Sequence, residues 1–270
     1  MKHHFYAGIL LSGAVAISSC NKHIYVPNTV NAPLLKEKHE FKGSISPTNL
    51  QAAFAITDNI AIMANGQYVY RFKFADDNNN DNDVFVDNNT RGGVVEGAVG
   101  FFKPLDPKKR MVFDVYAGFG AGHFKTLASQ SNSTTGTNVN DYLLKNQFSK
   151  VFIQPSIGFV HPVFEAAFTS RFSLLNFYNT YLGSKAFEND ATGKENFMRI
   201  SDKPVAFYEP GFTFRVGYKY VKFQMQLLVS VPLNDNTYNG SDINQYFQPV
   251  AFGMGASVNI AHWYDNFRKR

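Results

Sequence analysis

Hydrophobic and polar residues alternate with a period of two along most of the chain, most clearly over residues 205–231. Ala206, Tyr208, Pro210, Phe212, Phe214 and Val216 interleave with Phe207, Glu209, Gly211, Thr213, Arg215 and Gly217. After Tyr218-Lys219-Tyr220 the pattern resumes. Val221, Phe223, Met225, Leu227, Val229 and Val231 alternate with Lys222, Gln224, Gln226, Leu228 and Ser230. Successive side chains of a strand point to opposite faces, so this period predicts β-strand. One face is fully apolar and the other carries charge, as required of a barrel with lipid outside and a polar lumen.

The same alternation predicts strands over residues 39–46, 50–56, 60–72, 94–102, 111–124, 148–160, 163–175, 205–217, 221–231 and 246–260. On this register the inward positions include Glu40, Lys42, Arg71, Glu96, Asp114, Lys150, Glu165, Arg171, Glu209, Arg215 and Lys222. From the second strand onward the connections alternate in length. Residues 57–59, 103–110, 161–162 and 218–220 are short, whereas 73–93, 125–147, 176–204 and 232–245 are long. Outer-membrane barrels have short periplasmic turns and longer extracellular loops, whereas a β-sandwich has no reason for this asymmetry. Pro155, Pro210 and Pro249 lack a ladder donor and are expected at bulges or near rims.

The predicted fold is therefore all-β, a single antiparallel up-and-down transmembrane barrel of about ten strands, with eight to twelve as bounds. A further hairpin within 176–204 would raise the count. Composition agrees, with 27 Phe and 14 Tyr, 17 % charged residues, a mean hydropathy of −0.22, and no apolar run long enough for a transmembrane helix.

The amino terminus adds an address. Lys2, His3 and His4 precede an apolar run over residues 5–17, which fits a signal-peptide core and is too short to span as a helix. It ends in Ile17-Ser18-Ser19-Cys20, and Cys20 is the only cysteine. This resembles the bacterial lipoprotein signal, in which small residues precede the cysteine whose thiol takes a diacylglyceryl group. The resemblance divides the chain into a signal peptide (1–19), a lipidated tether (20–38), the barrel (39–262) and a basic tail (263–270). One cysteine also rules out an intrachain disulfide framework. The net charge of +5 is concentrated near Lys108-Lys109-Arg110 and Arg268-Lys269-Arg270. These are solvated turn and tail charges, and no nucleic-acid partner is expected. Ten strands place both barrel ends on the short-turn side, so the expected location is the bacterial outer membrane, lipid-anchored, with both termini periplasmic.

Three further segments carry a resemblance. The lipoprotein signal, Pro33-Leu34-Leu35-Lys36-Glu37-Lys38, and Gln51-Ala52-Ala53-Phe54-Ala55-Ile56-Thr57-Asp58-Asn59-Ile60 followed by Met63-Ala64-Asn65 are similar to a group of Bacteroidota outer-membrane β-barrel lipoproteins, mostly without assigned function. The similarity covers the mature amino-terminal third. Many outer-membrane barrels end on an aromatic residue, whereas this chain continues from Ile260 through Ala261-His262-Trp263-Tyr264 to the basic tail.

Candidate chemistry is sparse. The lumen charges Glu96, Asp114, Lys150, Glu165, Arg171, Glu209, Arg215 and Lys222 are nearly balanced in sign, which favours a lumen filled by ion pairs over a charge-ringed pore. Asp76, Asn78, Asn80 and Asp87 match positions one, three, five and twelve of a calcium loop. Asp81, however, occupies the glycine position, and position twelve is not Glu. A solvated loop is the simpler reading, and no cofactor is expected beyond the lipid on Cys20. Among the histidines, His123 near the outer end of the fifth strand is the best-placed general base, yet none of the mature histidines lies in a His-x-Ser or Asp-His pair. The expected role is structural, interactive or accessory, without enzymatic activity, with membrane lipid and an envelope protein as partners. A narrow channel for small solutes is the second reading, and a surface-exposed barrel enzyme the third.

Overall fold

The computed structural model describes residues 23–70, 90–127, 139–188, 190–234, 237–238 and 241–267. Ten antiparallel strands form a closed barrel. They are β1 (Phe41–Ile45), β2 (Asn49–Ala55), β3 (Ile60–Val69), β4 (Arg91–Pro104), β5 (Met111–Leu127), β6 (Leu143–Val160), β7 (Phe164–Leu182), β8 (Val205–Tyr218), β9 (Val221–Val229) and β10 (Val250–Ile260). Each strand pairs with its neighbour in sequence, and β10 closes the ring on β1 through Phe41 opposite Ile260 to Ile45 opposite Ala256. Val231–Pro232 continues the pairing on β8 beyond β9, in the same register.

The alternation read from sequence matches the burial of the strands. On β9 the odd-numbered residues from Val221 to Val229 are exposed and Lys222, Gln224, Gln226 and Leu228 are buried. The outer surface is apolar over its full circumference. Val95 is 70 % exposed, Phe212 59 %, Phe119 56 % and Ile153 49 %, far more contiguous apolar surface than a soluble monomer presents. Exposed tyrosines stand at both ends of this band, Tyr68, Tyr178 and Tyr181 at one and Tyr218 and Tyr220 at the other. No helix among the described residues is long and apolar enough to cross a membrane.

Several boundaries differ from expectation. β6 begins earlier than predicted and β7 runs to Leu182, so these strands stand well above the short β1–β2 hairpin. The described residues of 183–204 hold no hairpin; they contain α1 (Ala191–Met198), capped by the Asp190 carboxylate accepting from Gly193 N at 2.7 Å, and a turn of 3-10 helix at Arg199–Ser201. Pro155 and Pro210 lie inside strands rather than at bulges or rims. The chain tolerates them because the ladder is interrupted there: β6–β7 pairing skips Gln154 and Pro155, and β8–β9 pairing starts only at Gly211. The carboxyl-terminal segment is not wholly a free tail. α2 (Trp263–Asn266) folds across the short-turn end with Trp263 and Tyr264 buried.

The largest departure concerns the segment before β1. Expected as a tether, residues 24–36 are buried throughout and occupy the lumen. A segment surrounded on every side has no solvent face, which is why it shows no period.

Candidate functional site in the barrel lumen

The lumen is built from inward side chains of all ten strands closed around this central segment. At the long-loop end, Ile24, Tyr25 and Val26 pack with Phe124, Phe148, Phe177 and Phe207 from the wall, and with Phe197, Ile200, Tyr246 and Phe247 from the loops above. Ile24 N donates to Tyr246 O at 2.9 Å, Gln248 N donates to Tyr25 O at 2.9 Å, and Thr90 Oγ1 donates to His23 O at 3.0 Å. At the short-turn end, Ala32 and Leu34 join Val112, Val160, Ala261, Trp263 and Tyr264. The segment thus runs from one mouth of the barrel to the other, then turns at Glu37 and Lys38 into β1.

Between these apolar ends the segment pairs with no strand, and its carbonyls are capped by lumen side chains. Arg171 Nη2 donates to Asn28 O at 2.7 Å, Gln51 Nε2 to Thr29 O at 3.0 Å, and Gln226 Nε2 to Val30 O. Gln154 Nε2 donates to Asn31 O at 2.7 Å and Arg215 Nη2 to Ala32 O at 3.0 Å. A buried carbonyl without a partner costs about the desolvation of that group, roughly 1–3 kcal/mol. Five consecutive capped carbonyls therefore fix the path and register of the segment.

The predicted lumen charges separate into two clusters and one solitary carboxyl group. The first cluster, toward the long-loop end, joins Glu96, Lys150, Arg171 and Glu209. Arg171 Nε donates to Glu209 Oε2 at 2.8 Å, Lys150 Nζ lies 3.0 Å from Glu96 Oε1 and 3.3 Å from Glu209 Oε2, and Tyr25 of the central segment donates its hydroxyl to Glu209 Oε1 at 2.7 Å. The second cluster, toward the short-turn end, gathers Lys42, Arg215 and Lys222 around Glu165 at 3.0, 3.0 and 2.6 Å, with Tyr264 donating to the same carboxylate. Beside it Lys36 pairs with Glu40 at 3.0 Å and stands 4.4 Å from the centre of the Trp263 ring. Asp114 has no ion pair among the described residues; Leu34 N donates to its Oδ2 at 3.2 Å. Asp114 apart, lysines and arginines thus pair the buried carboxylates, which answers the cost of burying them.

Other candidates fall elsewhere. Cys20, Arg71 and the calcium-loop residues Asp76, Asn78, Asn80 and Asp87 lie outside the described residues. Among the described residues no group of three or more His, Cys, Asp or Glu side chains is arranged to hold a metal. His123 is exposed on the outer face of β5, opposite Gly93 of β4, away from the lumen charges. His161 sits in the β6–β7 turn, where Val163 N donates to its Nδ1; partial burial, with Arg110 and Lys222 nearby, holds its imidazole below the ordinary value. Tyr25, Asn28 and Asn31, which complete the lumen network, were missed from sequence; a run of hydrogen-bonding residues with strand-like length but no alternation was the available signal. No family model matches the chain, and none of the curated proteins compared with it is similar.

Proposed function

We propose that this protein is an outer-membrane barrel lipoprotein whose lumen is sealed by its own amino-terminal segment, and that it serves as a structural, interaction or accessory element through its long-loop end. The observation that carries this reading is the unbroken burial of residues 24–36 inside the barrel, with five successive carbonyls capped by wall side chains. A lumen filled in this way has no aqueous path along its axis, and small barrels are commonly filled by side chains. The apolar outer band, with exposed tyrosines at its two ends, supports insertion in a bilayer, with the short turns facing the periplasm. The lipoprotein signal ending at Cys20 supports acylation, and the resemblance to Bacteroidota barrel lipoproteins supports the same envelope setting. No reaction and no cofactor other than the lipid are assigned.

Planar-bilayer recording tests the sealed lumen. The full-length protein should insert, shown by heat-modifiable gel mobility, yet give no single-channel steps. Reproducible steps altered by Lys150→Met or Arg215→Met would establish the narrow-channel reading instead. Acylation is checked by incorporation of labelled fatty acid, expected in the native chain and lost in Cys20→Ala.

A further inference from the structure

The direction in which the central segment fills the barrel decides where the amino terminus goes. β1 starts at the short-turn end, as the strand count requires. The residues immediately before it, Lys36 to Lys38, are held there: Lys109 Nζ donates to Lys36 O at 3.2 Å, and Trp263 N donates to Glu37 Oε1 at 2.8 Å. Thirteen residues earlier, His23 stands at the opposite mouth. There its carbonyl accepts from Thr90 at the start of β4, and the next two residues bond to Tyr246 and Gln248 of the β9–β10 connection. Thirteen residues at about 3.3 Å each reach at most about 43 Å, enough for an extended chain to cross a bilayer-spanning barrel once.

We infer that the polypeptide before His23 leaves the barrel at the long-loop end, so that the two ends of the protein stand on opposite sides of the membrane. This rests on the membrane-spanning reading proposed above. The sequence alone placed both termini on the short-turn side, because it counted strands and took the preceding residues as a tether, with residues 34–38 open to being a plug piece. A central segment that reverses the direction of β1 puts the amino terminus on the far side. Cys20 is three residues from His23, a span of at most about 11 Å, so an acyl group on it enters the leaflet adjoining the long loops. With the loops extracellular, that is the outer leaflet, and the protein carries its lipid at the cell surface while α2 faces the periplasm.

The packing gives this arrangement a consequence for assembly. Arg171 and Arg215 reach across to the segment at 2.7 and 3.0 Å, and Gly211 leaves only enough room for Val30, whose Cγ2 would lie 2.7 Å from an added Cβ. No diacylated terminus passes through a lumen filled to that degree. The barrel therefore closes around the segment rather than being threaded afterwards.

The test uses full-length protein in intact cells with an epitope in one of three places: between Lys22 and His23, in the 71–89 connection between β3 and β4, or after Arg270. Heat-modifiable mobility confirms that each tagged chain is folded. External protease should remove the first two epitopes and spare the third until the outer membrane is opened. Protection of the first epitope together with the third, with the 71–89 epitope cleaved, overturns the inference and leaves the membrane barrel standing. Cleavage of all three in intact cells overturns both. As a second measurement that avoids insertions, His23→Cys in a Cys20→Ala background should react with a membrane-impermeant maleimide from outside, and failure to do so in a folded protein counts against the inference.

Discussion

Replacing Glu209 by Gln tests whether the lumen is as dry and fully paired as its geometry indicates. Glu209 accepts from Arg171, Lys150, Ser173 and Tyr25 at 2.8, 3.3, 2.7 and 2.7 Å, and neither its side chain nor that of Arg171 is exposed. With Glu96 and Lys150 it completes a cluster of two positive and two negative groups. Gln keeps the volume and one acceptor but leaves an extra positive charge enclosed. Breaking one partner of a buried pair costs about 3–5 kcal/mol. With a urea dependence of about 3 kcal/mol per molar, the unfolding midpoint falls by about 1 to 1.7 M. The assay is equilibrium unfolding in lipid vesicles, followed by fluorescence of Trp263, the only tryptophan. Arg171→Met with Glu209→Gln removes one charge of each sign and leaves the Lys150–Glu96 pair at 3.0 Å, so the double variant should lose less than the sum of the singles, by about 0.5–3 kcal/mol. Asp114→Asn is the internal control. It replaces a buried carboxyl group that has no ion pair among the described residues while retaining an acceptor for Leu34 N, and should be neutral or stabilising. A Glu209→Gln midpoint within about 0.3 M of the native one, roughly 1 kcal/mol on the same slope, would refute the reasoning. Water would then reach the cluster and screen it.

Three further substitutions address the central segment. Leu34→Ala, in the fully buried cluster with Val112, Val160 and Trp263, should cost about 2–5 kcal/mol by the same unfolding assay. Gly211→Ala should cost about 1–3 kcal/mol because the new methyl group meets Val30, whereas Gly253→Ala, whose Cβ would find Thr29 Cγ2 at an ordinary 3.5 Å, should leave the midpoint unchanged; equal effects would mean that the segment is not held in this register. Lys36→Met leaves Glu40 without its pair and removes the cation from the Trp263 ring. It should lower stability by about 3–5 kcal/mol and shift the folded-state emission of Trp263.

The strands, their faces and their approximate ends were legible in the chain itself. Alternation is a local property, because a residue's face follows from the parity of its position, so Glu165, Arg171, Glu209, Arg215 and Lys222 were assigned inward without any knowledge of their partners. Short and long connections fixed the two ends of the barrel by the same local reasoning. What the sequence could not express was how those charges pair. Glu165 collects two lysines and one arginine from β1, β8 and β9, up to 123 residues distant, and only closure of the ring brings them together. Nor could it show that residues 24–36 lie inside. A strand in a wall sees lipid on one face and the lumen on the other, and records that difference as a period. A segment at the centre meets wall side chains on all sides and records none. Its occupancy of the lumen, and with it the mouth at which His23 emerges, was decided by tertiary packing, where buried carbonyls require donors that the inward Gln and Arg side chains supply.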